Sequence, residues 1–350
     1  MWRRLGEGSF PVDPMNFCVL GAGAWGTAMA VYLARRGHVV TLCPRRMEHA
    51  LQLSSQRENR DYLPGIEFPS DLQIGREVGP ALMEADFVFF ACPSHALRAT
   101  AETAALHLSM SPQLKGALAL CKGLEPKTNQ YAHEVMSEAF GGKVSTGYLT
   151  GPSHAQELAE GKPAAMCLAI DLPEEATREL QEAISSSTLR LYRSEDLTGA
   201  AIGGCLKNVY AIAVGISDGL ALGDNARAAL ITRCLNEMIE LGAHLGAKRD
   251  TFVGLSGVGD LIATCTGEWS RNRTFGQAIA GGQSATEIID QQKTVVEGYW
   301  ATACFYEKSR QAGATAPVLE QVHRILYEGS DPKSAVIELM SRGLKAEGTA

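Results

Sequence analysis

Within "GGCLKNVYAIAVGIS" (Gly203 to Ser217) a single ammonium, Lys207, interrupts an apolar run from Leu197 to Ser217 that carries no other charged side chain. One reading is that the stem packs while the head snorkels to water. The other is that desolvation lowers its pKa and makes the amine a general acid or base near neutral pH, with the amide of Asn208 beside it. Further on, "GLSGVGDLIATCTGEWSRNRTFG" (Gly254 to Gly276) presents Asp260 after a flexible, glycine-containing loop. The same stretch then sets Ser270, Arg271, Asn272 and Arg273 in four successive positions. A hydroxyl, a guanidinium fork and an amide suit a phosphate, although a polar surface turn has the same composition. A second isolated cation, Lys122 in "LALCKGLEP", follows an apolar run that ends like a sheet strand. Ligand crevices of open α/β sheets lie at such strand ends; the alternative is an ordinary surface lysine.

These groups need a scaffold, and the N-terminal sequence supplies its first unit. "NFCVLGAGAWGTAMAVYLARRGHVVTLCPRR" reads as strand, glycine-rich turn, helix and second strand in about thirty residues. Gly21, Gly23 and Gly26 fall at the turn in G-x-G-x-x-G spacing. The first glycine permits the bend, the second lets backbone approach a pyrophosphate, and the third allows helix to pack on strand. The free N–H groups of the following helix would meet the anion. At the end of the second strand an acidic residue would bind a free ribose 2′-hydroxyl, whereas this chain has Arg45 and Arg46. Those arginines favour a 2′-phosphate, hence NADP(H) over NAD(H) or dual use, unless they are simply solvated.

Short apolar runs continue with "DFVFFACPS", "GALALCKG", "VSTGYLTGPS", "AAMCLAI" and "TLRLYRS", separated by helix-like segments. The alternation predicts an α/β fold, a Rossmann-like domain with a mostly parallel sheet covered on both faces. From about residue 195 onward the strand signal fades into long helical patterns, which predicts an all-α C-terminal domain. The expected organisation is a floppy extension over 1–14, a dinucleotide-binding domain over 15–195, and a helical substrate-binding and catalytic domain over 196–350. Nothing in residues 1–14 resembles a secretory signal.

Composition narrows the function classes. The 39 acidic and 32 basic residues give a net charge of −7 with no long block of one sign, which speaks against nucleic-acid or membrane-surface binding. The apolar run around Lys207 has the length of a membrane span of about twenty residues, but the charge at its centre opposes insertion. Nine cysteines occur singly, with no CxxC pair or metal spacing, the pattern of reduced thiols in a cytoplasm without structural zinc.

Taken together, "GAGAWGTAMA", "RENRDYLPG", "CKGLEP", "TGPSHAQE", "CLKNVYAIAVGISDGLALGDNARAALITR", "GLSGVGDLIATCT", "SRNRTFG" and "VVEG" resemble the bacterial-type NAD(P)-dependent glycerol-3-phosphate dehydrogenases, in that family's order. The resemblance implies reversible reduction of dihydroxyacetone phosphate to sn-glycerol 3-phosphate, supplying phospholipid synthesis, in a cytoplasmic homodimer without a metal. It implies that Lys207 is the general acid and base, oriented by Asp260, and that Ser270, Arg271 and Asn272 grip the substrate phosphate. Lys122, Gly151, Ser153 and Asn208 would complete the substrate site. Gly21, Gly23, Ala24, Trp25, Gly26, Arg45, Arg46, Lys122, Ala155, Arg271, Val295 and Glu297 would contact the cofactor.

Two features depart from the family pattern: Cys43 stands where an aromatic is expected, and residues 1–14 have no counterpart. Two other functions fit the same plan. A hydroxyacid or 6-phosphogluconate-type dehydrogenase also pairs a dinucleotide fold with a catalytic lysine, and a dinucleotide sensor could keep the fold without turnover.

Overall fold

The computed structural model describes residues 13–291, 296–344 and 346. Residues 1–12 of the expected extension and Val295 lie outside the described residues. The chain divides into two compact units: residues up to Cys121 together with Gln130–Leu197, and Lys122–Asn129 together with the chain from Thr198 onward.

In the first unit the strands are β1 (Asn16–Leu20), β2 (Val39–Cys43), β3 (Glu58–Asn59), β4 (Leu63–Glu67), β5 (Gln73–Ile74), β6 (Phe87–Phe90), β7 (Gly116–Ala119), β8 (Ser145–Thr150), β9 (Ala164–Ile170) and β10 (Leu189–Ser194). Eight of them form one sheet in the order β10-β9-β8-β7-β6-β1-β2-β5, while β3 and β4 form a separate hairpin. All pairs in the large sheet are parallel except β8 with β9. The central strands are apolar without alternation because both faces are covered. Phe17 and Phe89 meet on one face, with ring centroids 5.4 Å apart, in the cluster that includes Met29 and Leu33 of helix Ala24–Arg35. Phe90 meets Phe140 at 6.2 Å on the other. The expected Rossmann-like sheet is therefore present, with one antiparallel pair and a small hairpin in addition.

Among the described residues the second unit has no strand. Its central helix, Leu197–Gly219, is buried at every residue from Gly199 to Ser217. Glycine inside a helix costs about 1 kcal/mol relative to alanine, yet this helix keeps several. A Cβ on Gly203 would lie 2.2 Å from the Ser256 carbonyl oxygen, and one on Gly215 would lie 2.0 Å from that of Arg273. The missing methyl groups let two neighbouring segments reach the helix backbone. The segment ahead of Asp260 is one of them. It is helical rather than the loop expected, with a short helix Arg249–Phe252 and a π-helical turn Leu255–Gly259. Gly257 permits that winding, because a Cβ there would meet the Phe252 carbonyl oxygen at 2.1 Å.

Candidate active site

The predicted residues divide between the two units. Gly21, Gly23, Ala24, Trp25, Gly26, Arg45, Arg46, Gly151, Ser153 and Ala155 belong to the first; Lys122, Lys207, Asn208, Asp260, Ser270, Arg271, Asn272 and Glu297 belong to the second.

In the first unit the three glycines have three distinct surroundings. Gly21 takes φ +114°, and a Cβ there would sit 2.7 Å from the Ala91 carbonyl oxygen. A Cβ on Gly26 would lie 2.1 Å from the Gly21 carbonyl oxygen and 2.7 Å from Ala91 Cβ, so only glycine lets helix and strand pack this closely. Around Gly23 nothing lies within 4 Å of such an atom, so an incoming group has room there. Gly23 caps helix Ala24–Arg35 without any side-chain hydrogen bond, which leaves its first N–H groups for an anion. The buried indole Nε1 of Trp25 has no partner among the described residues. Open space, an uncapped helix start and an orphaned donor fit a dinucleotide pyrophosphate.

Asn59, within the "RENRDYLPG" segment, donates from Nδ2 to the Ala22 carbonyl oxygen at 2.9 Å and to Thr27 Oγ1 at 2.8 Å. It thereby holds the glycine-rich turn to the hairpin, a role no local pattern indicates. Arg45 and Arg46 are exposed at the start of helix Met47–Gln56, with Arg46 at its N-cap. Ser153 Oγ donates to the Gly151 carbonyl oxygen at 2.9 Å, and Gly151 takes φ +123°. Ala155 is half-buried at the start of the short helix Ala155–Ala159.

In the second unit Asp260 is fully buried and joins two ammonium groups. Lys207 Nζ donates to Asp260 Oδ1 at 2.6 Å, and Lys122 Nζ donates to Asp260 Oδ2 at 2.7 Å. The geometry follows from Gly203. The π-helical turn presses on Gly203, Lys207 stands one helical turn further on the same face, and Asp260 follows that turn directly. Asp260 also opens helix Asp260–Thr266, where a carboxylate is favoured by the helix dipole. Burial pushes the Lys122 ammonium down to about 8; Asp260 opposes that shift and the charge of Lys207 adds to it.

Thr264 Oγ1 accepts from Lys207 Nζ at 2.8 Å and donates to the Asp260 carbonyl oxygen at 2.7 Å. No motif marks Thr264; its i+4 spacing from Asp260 is the signal that places both on one helix face.

A relay of amides runs beside this cluster. Gly298 N donates to Asn272 Oδ1 at 3.0 Å, Asn272 Nδ2 donates to Asn208 Oδ1 at 2.9 Å, and Asn208 Nδ2 donates to the Lys122 carbonyl oxygen at 2.9 Å. Each bond dictates the orientation of the next amide, so the backbone of Lys122 is held by a fixed chain of donors. Gly298 admits that contact, since a Cβ there would approach Asn208 O to 2.6 Å.

Ser270 is buried at the N-cap of helix Arg271–Ala280, where its Oγ accepts from Arg273 N at 3.4 Å. Arg271 is exposed at the first position of that helix, whereas Arg273 Nε is engaged by Asp218 Oδ2 at 2.6 Å. Glu297 is half-buried at the start of helix Glu297–Gln311. Two cations on one buried carboxylate leave positive charge in excess, which suits an oxygen that becomes negative during reaction. Among the described residues no group of three or more His, Cys, Asp or Glu is placed to hold a metal.

Comparison with known proteins decides the family. Residues 16–176 match the model of the NAD-dependent glycerol-3-phosphate dehydrogenase N-terminus, and residues 196–337 match that of its C-terminus. The chain belongs to the NAD-dependent glycerol-3-phosphate dehydrogenase family. Among its relatives, glycerol-3-phosphate dehydrogenase [NAD(P)+] of Nitrosomonas eutropha is 45% identical over 334 residues, covering 95% of this chain and 99% of the relative. The Thiobacillus denitrificans enzyme of the same name is 43% identical, over 95% of this chain and all of the relative. The crystal structure of glycerol-3-phosphate dehydrogenase from Coxiella burnetii superposes with a TM-score of 0.85 at 36% identity, covering 94% of this chain and 99% of that one. Both halves of the glycerol-3-phosphate dehydrogenase family are thus present in this chain.

Proposed function

We propose that the chain catalyses the reversible reduction of dihydroxyacetone phosphate to sn-glycerol 3-phosphate with NAD(P)H, NADPH preferred. The Lys122–Asp260–Lys207 cluster carries the reading, with ammonium groups 2.7 and 2.6 Å from one buried carboxylate. The names of the relatives supply the substrate.

On this reading Lys207 Nζ gives its proton to the C2 oxygen during reduction and takes it back during oxidation, held in place by Asp260 and Thr264. Lys122 adds a second positive charge against the developing alkoxide. Arg271 and Asn272, with Ser270 capping their helix, hold the phosphate through guanidinium, amide and free backbone N–H groups. Binding the phosphate end fixes the ketone relative to Lys207, converting remote binding energy into rate. Gly151 and Ser153 contribute to the substrate site.

A bound nicotinamide supplies and accepts the hydride. The turn at Gly21, Gly23 and Gly26 with Ala24 and Trp25 receives its pyrophosphate, and Arg45 and Arg46 receive a 2′-phosphate. Ala155, Val295, Glu297, Lys122 and Arg271 complete that site by family resemblance. Residues 15–195 thus supply most of the cofactor site and 196–350 most of the substrate site, in a cytoplasmic homodimer that provides glycerol 3-phosphate for phospholipid synthesis.

The test is oxidation of NADPH and of NADH by the purified protein with dihydroxyacetone phosphate, beside unphosphorylated dihydroxyacetone. Turnover confined to the phosphorylated ketone, faster with NADPH, is expected. No turnover with either cofactor would overturn the reading, and a preference for NADH would remove the role given to Arg45 and Arg46.

A further inference from the structure

We propose that Cys92 and Cys121 form an oxidisable dithiol at the carboxyl edge of the sheet, which hydroperoxides close reversibly into a disulfide that weakens dinucleotide binding. Of the nine cysteines, seven are buried, and these two are the half-buried ones. They follow neighbouring parallel strands. β6 and β7 pair with Phe90 opposite Ala119, and Leu120 N donates to the Phe90 carbonyl oxygen at 2.9 Å just past the last pair. That bond brings Ala91 alongside Leu120, and Cys92 and Cys121 are the next residue of each chain segment, just past the ends of these neighbouring strands. Neighbouring strands lie about 4.8 Å apart, inside the roughly 4.4–6.8 Å Cα spacing that a disulfide bridges, so residues that leave two adjacent strand ends start within reach of one another.

The consequence for binding comes from Gly21. A Cβ on Gly21 would lie 3.1 Å from Cys92 N and 2.7 Å from the Ala91 carbonyl oxygen, so the glycine-rich turn rests on the backbone that carries Cys92. Drawing Cys92 toward Cys121 moves the support of that turn. Helix Ser94–Ala105 begins two residues after Cys92, and its N-terminal end favours negative charge on the attacking sulfur.

The chemistry balances with one peroxide. One thiolate attacks a peroxide oxygen, breaking the O–O bond and giving a sulfenic acid and, with a proton, the first water or alcohol. The second thiol then displaces the sulfenic hydroxyl as water, forming the S–S bond. Two thiols are oxidised by two electrons and the peroxide is reduced by two; a dithiol reductant reverses the step by exchange.

The link itself does not depend on the proposed function, whereas its effect on binding rests on the dinucleotide reading. The full chain is treated with a small excess of hydrogen peroxide, blocked with N-ethylmaleimide and mapped by mass spectrometry without reduction, with NADPH affinity measured in parallel by fluorescence. A Cys92–Cys121 peptide is expected, with affinity weakened by roughly tenfold or more and restored by dithiothreitol. Cys121→Ser is expected to bind NADPH as the reduced protein does and to ignore peroxide. Separate sulfinic acids or maleimide adducts on the two cysteines would overturn the proposal, and a linked peptide with unchanged affinity would overturn the effect on binding. Should the reduced protein bind no dinucleotide, the function fails while the peptide map still decides the link.

Discussion

Lys207 and Lys122 share one carboxylate but are tied differently. Lys207 has Asp260 and Thr264 around its ammonium, while Lys122 meets Asp260 from the other side and its backbone is held by Asn208. On the proposed mechanism, replacing Lys207 by alanine removes the proton donor and one of the two ammonium groups that meet Asp260. Lys207→Ala is expected to lower kcat by about 10²–10⁴ with NADPH affinity unchanged, measured by steady-state kinetics beside a fluorescence titration. On the same reading, Lys122 is expected to carry the pH dependence. Its charge is lost as pH rises through about 8, so the reduction rate should fall on the basic side near that value. Lys122→Arg, charged throughout, should move that limb to higher pH; an unmoved limb would assign it to another group. The sign for stability is opposite. Because the folded value lies below the ordinary 10.5, the unfolded chain holds more protons between about 8 and 10.5. The cost of burying this cation is therefore complete below 8 and is relieved as pH rises across the window.

At the scale of elements, the central helix of the second unit works through what it lacks. Gly203 lets the π-helical turn touch the helix backbone, and one turn later Lys207 meets Asp260. Gly203→Ala would improve intrinsic helix propensity by about 1 kcal/mol, yet it places a methyl 2.2 Å from a carbonyl oxygen. Overpacking of this kind costs about 1–3 kcal/mol. The expected outcome is a lower Tm together with a large loss of kcat, since the displaced turn carries Asp260 with it. A variant with raised Tm and full activity would show that the close approach does not position the carboxylate.

For the molecule as a whole, a second titration bearing on stability lies outside the lysine cluster. Glu237 is buried and accepts at 2.8 Å from both Val318 N and Leu319 N, so a carboxylate on helix Asp224–His244 caps helix Pro317–Glu328. Tyr210 OH donates to the same carboxylate at 3.2 Å. Burial nevertheless raises its pKa to about 7, with those hydrogen bonds pulling the other way. Between 4.5 and about 7 the folded chain holds more protons than the unfolded one, so this group's contribution to stability falls as pH rises through that window. Urea unfolding at several pH values should show that slope in the wild type. Glu237→Gln should flatten it and lower stability throughout, because an amide cannot accept from both N–H groups through two oxygens. An unchanged slope would place the titration elsewhere.

Much of this was legible locally. Periodicity marked the five β-rich runs that became β6 to β10, the G-x-G-x-x-G spacing marked the turn, and the change to helical patterns near residue 195 marked the second set of elements, because each signal is a property of neighbouring residues. The isolation of Lys207 and the run Ser270 to Arg273 were equally visible. Tertiary structure alone decided that Asp260 joins Lys207 and Lys122 across 53 and 138 residues of chain. It alone assigned Arg273 to Asp218, made Asn59 the clamp of the glycine-rich turn and Gly298 the anchor of the amide relay. It also replaced the loop before Asp260 by a π-helical turn. The physical reason is common to these cases: a contact at long sequence separation depends on where two backbones can approach, and at Gly203, Gly215 and Gly298 that approach is set by an absent side chain, which leaves no periodicity to read.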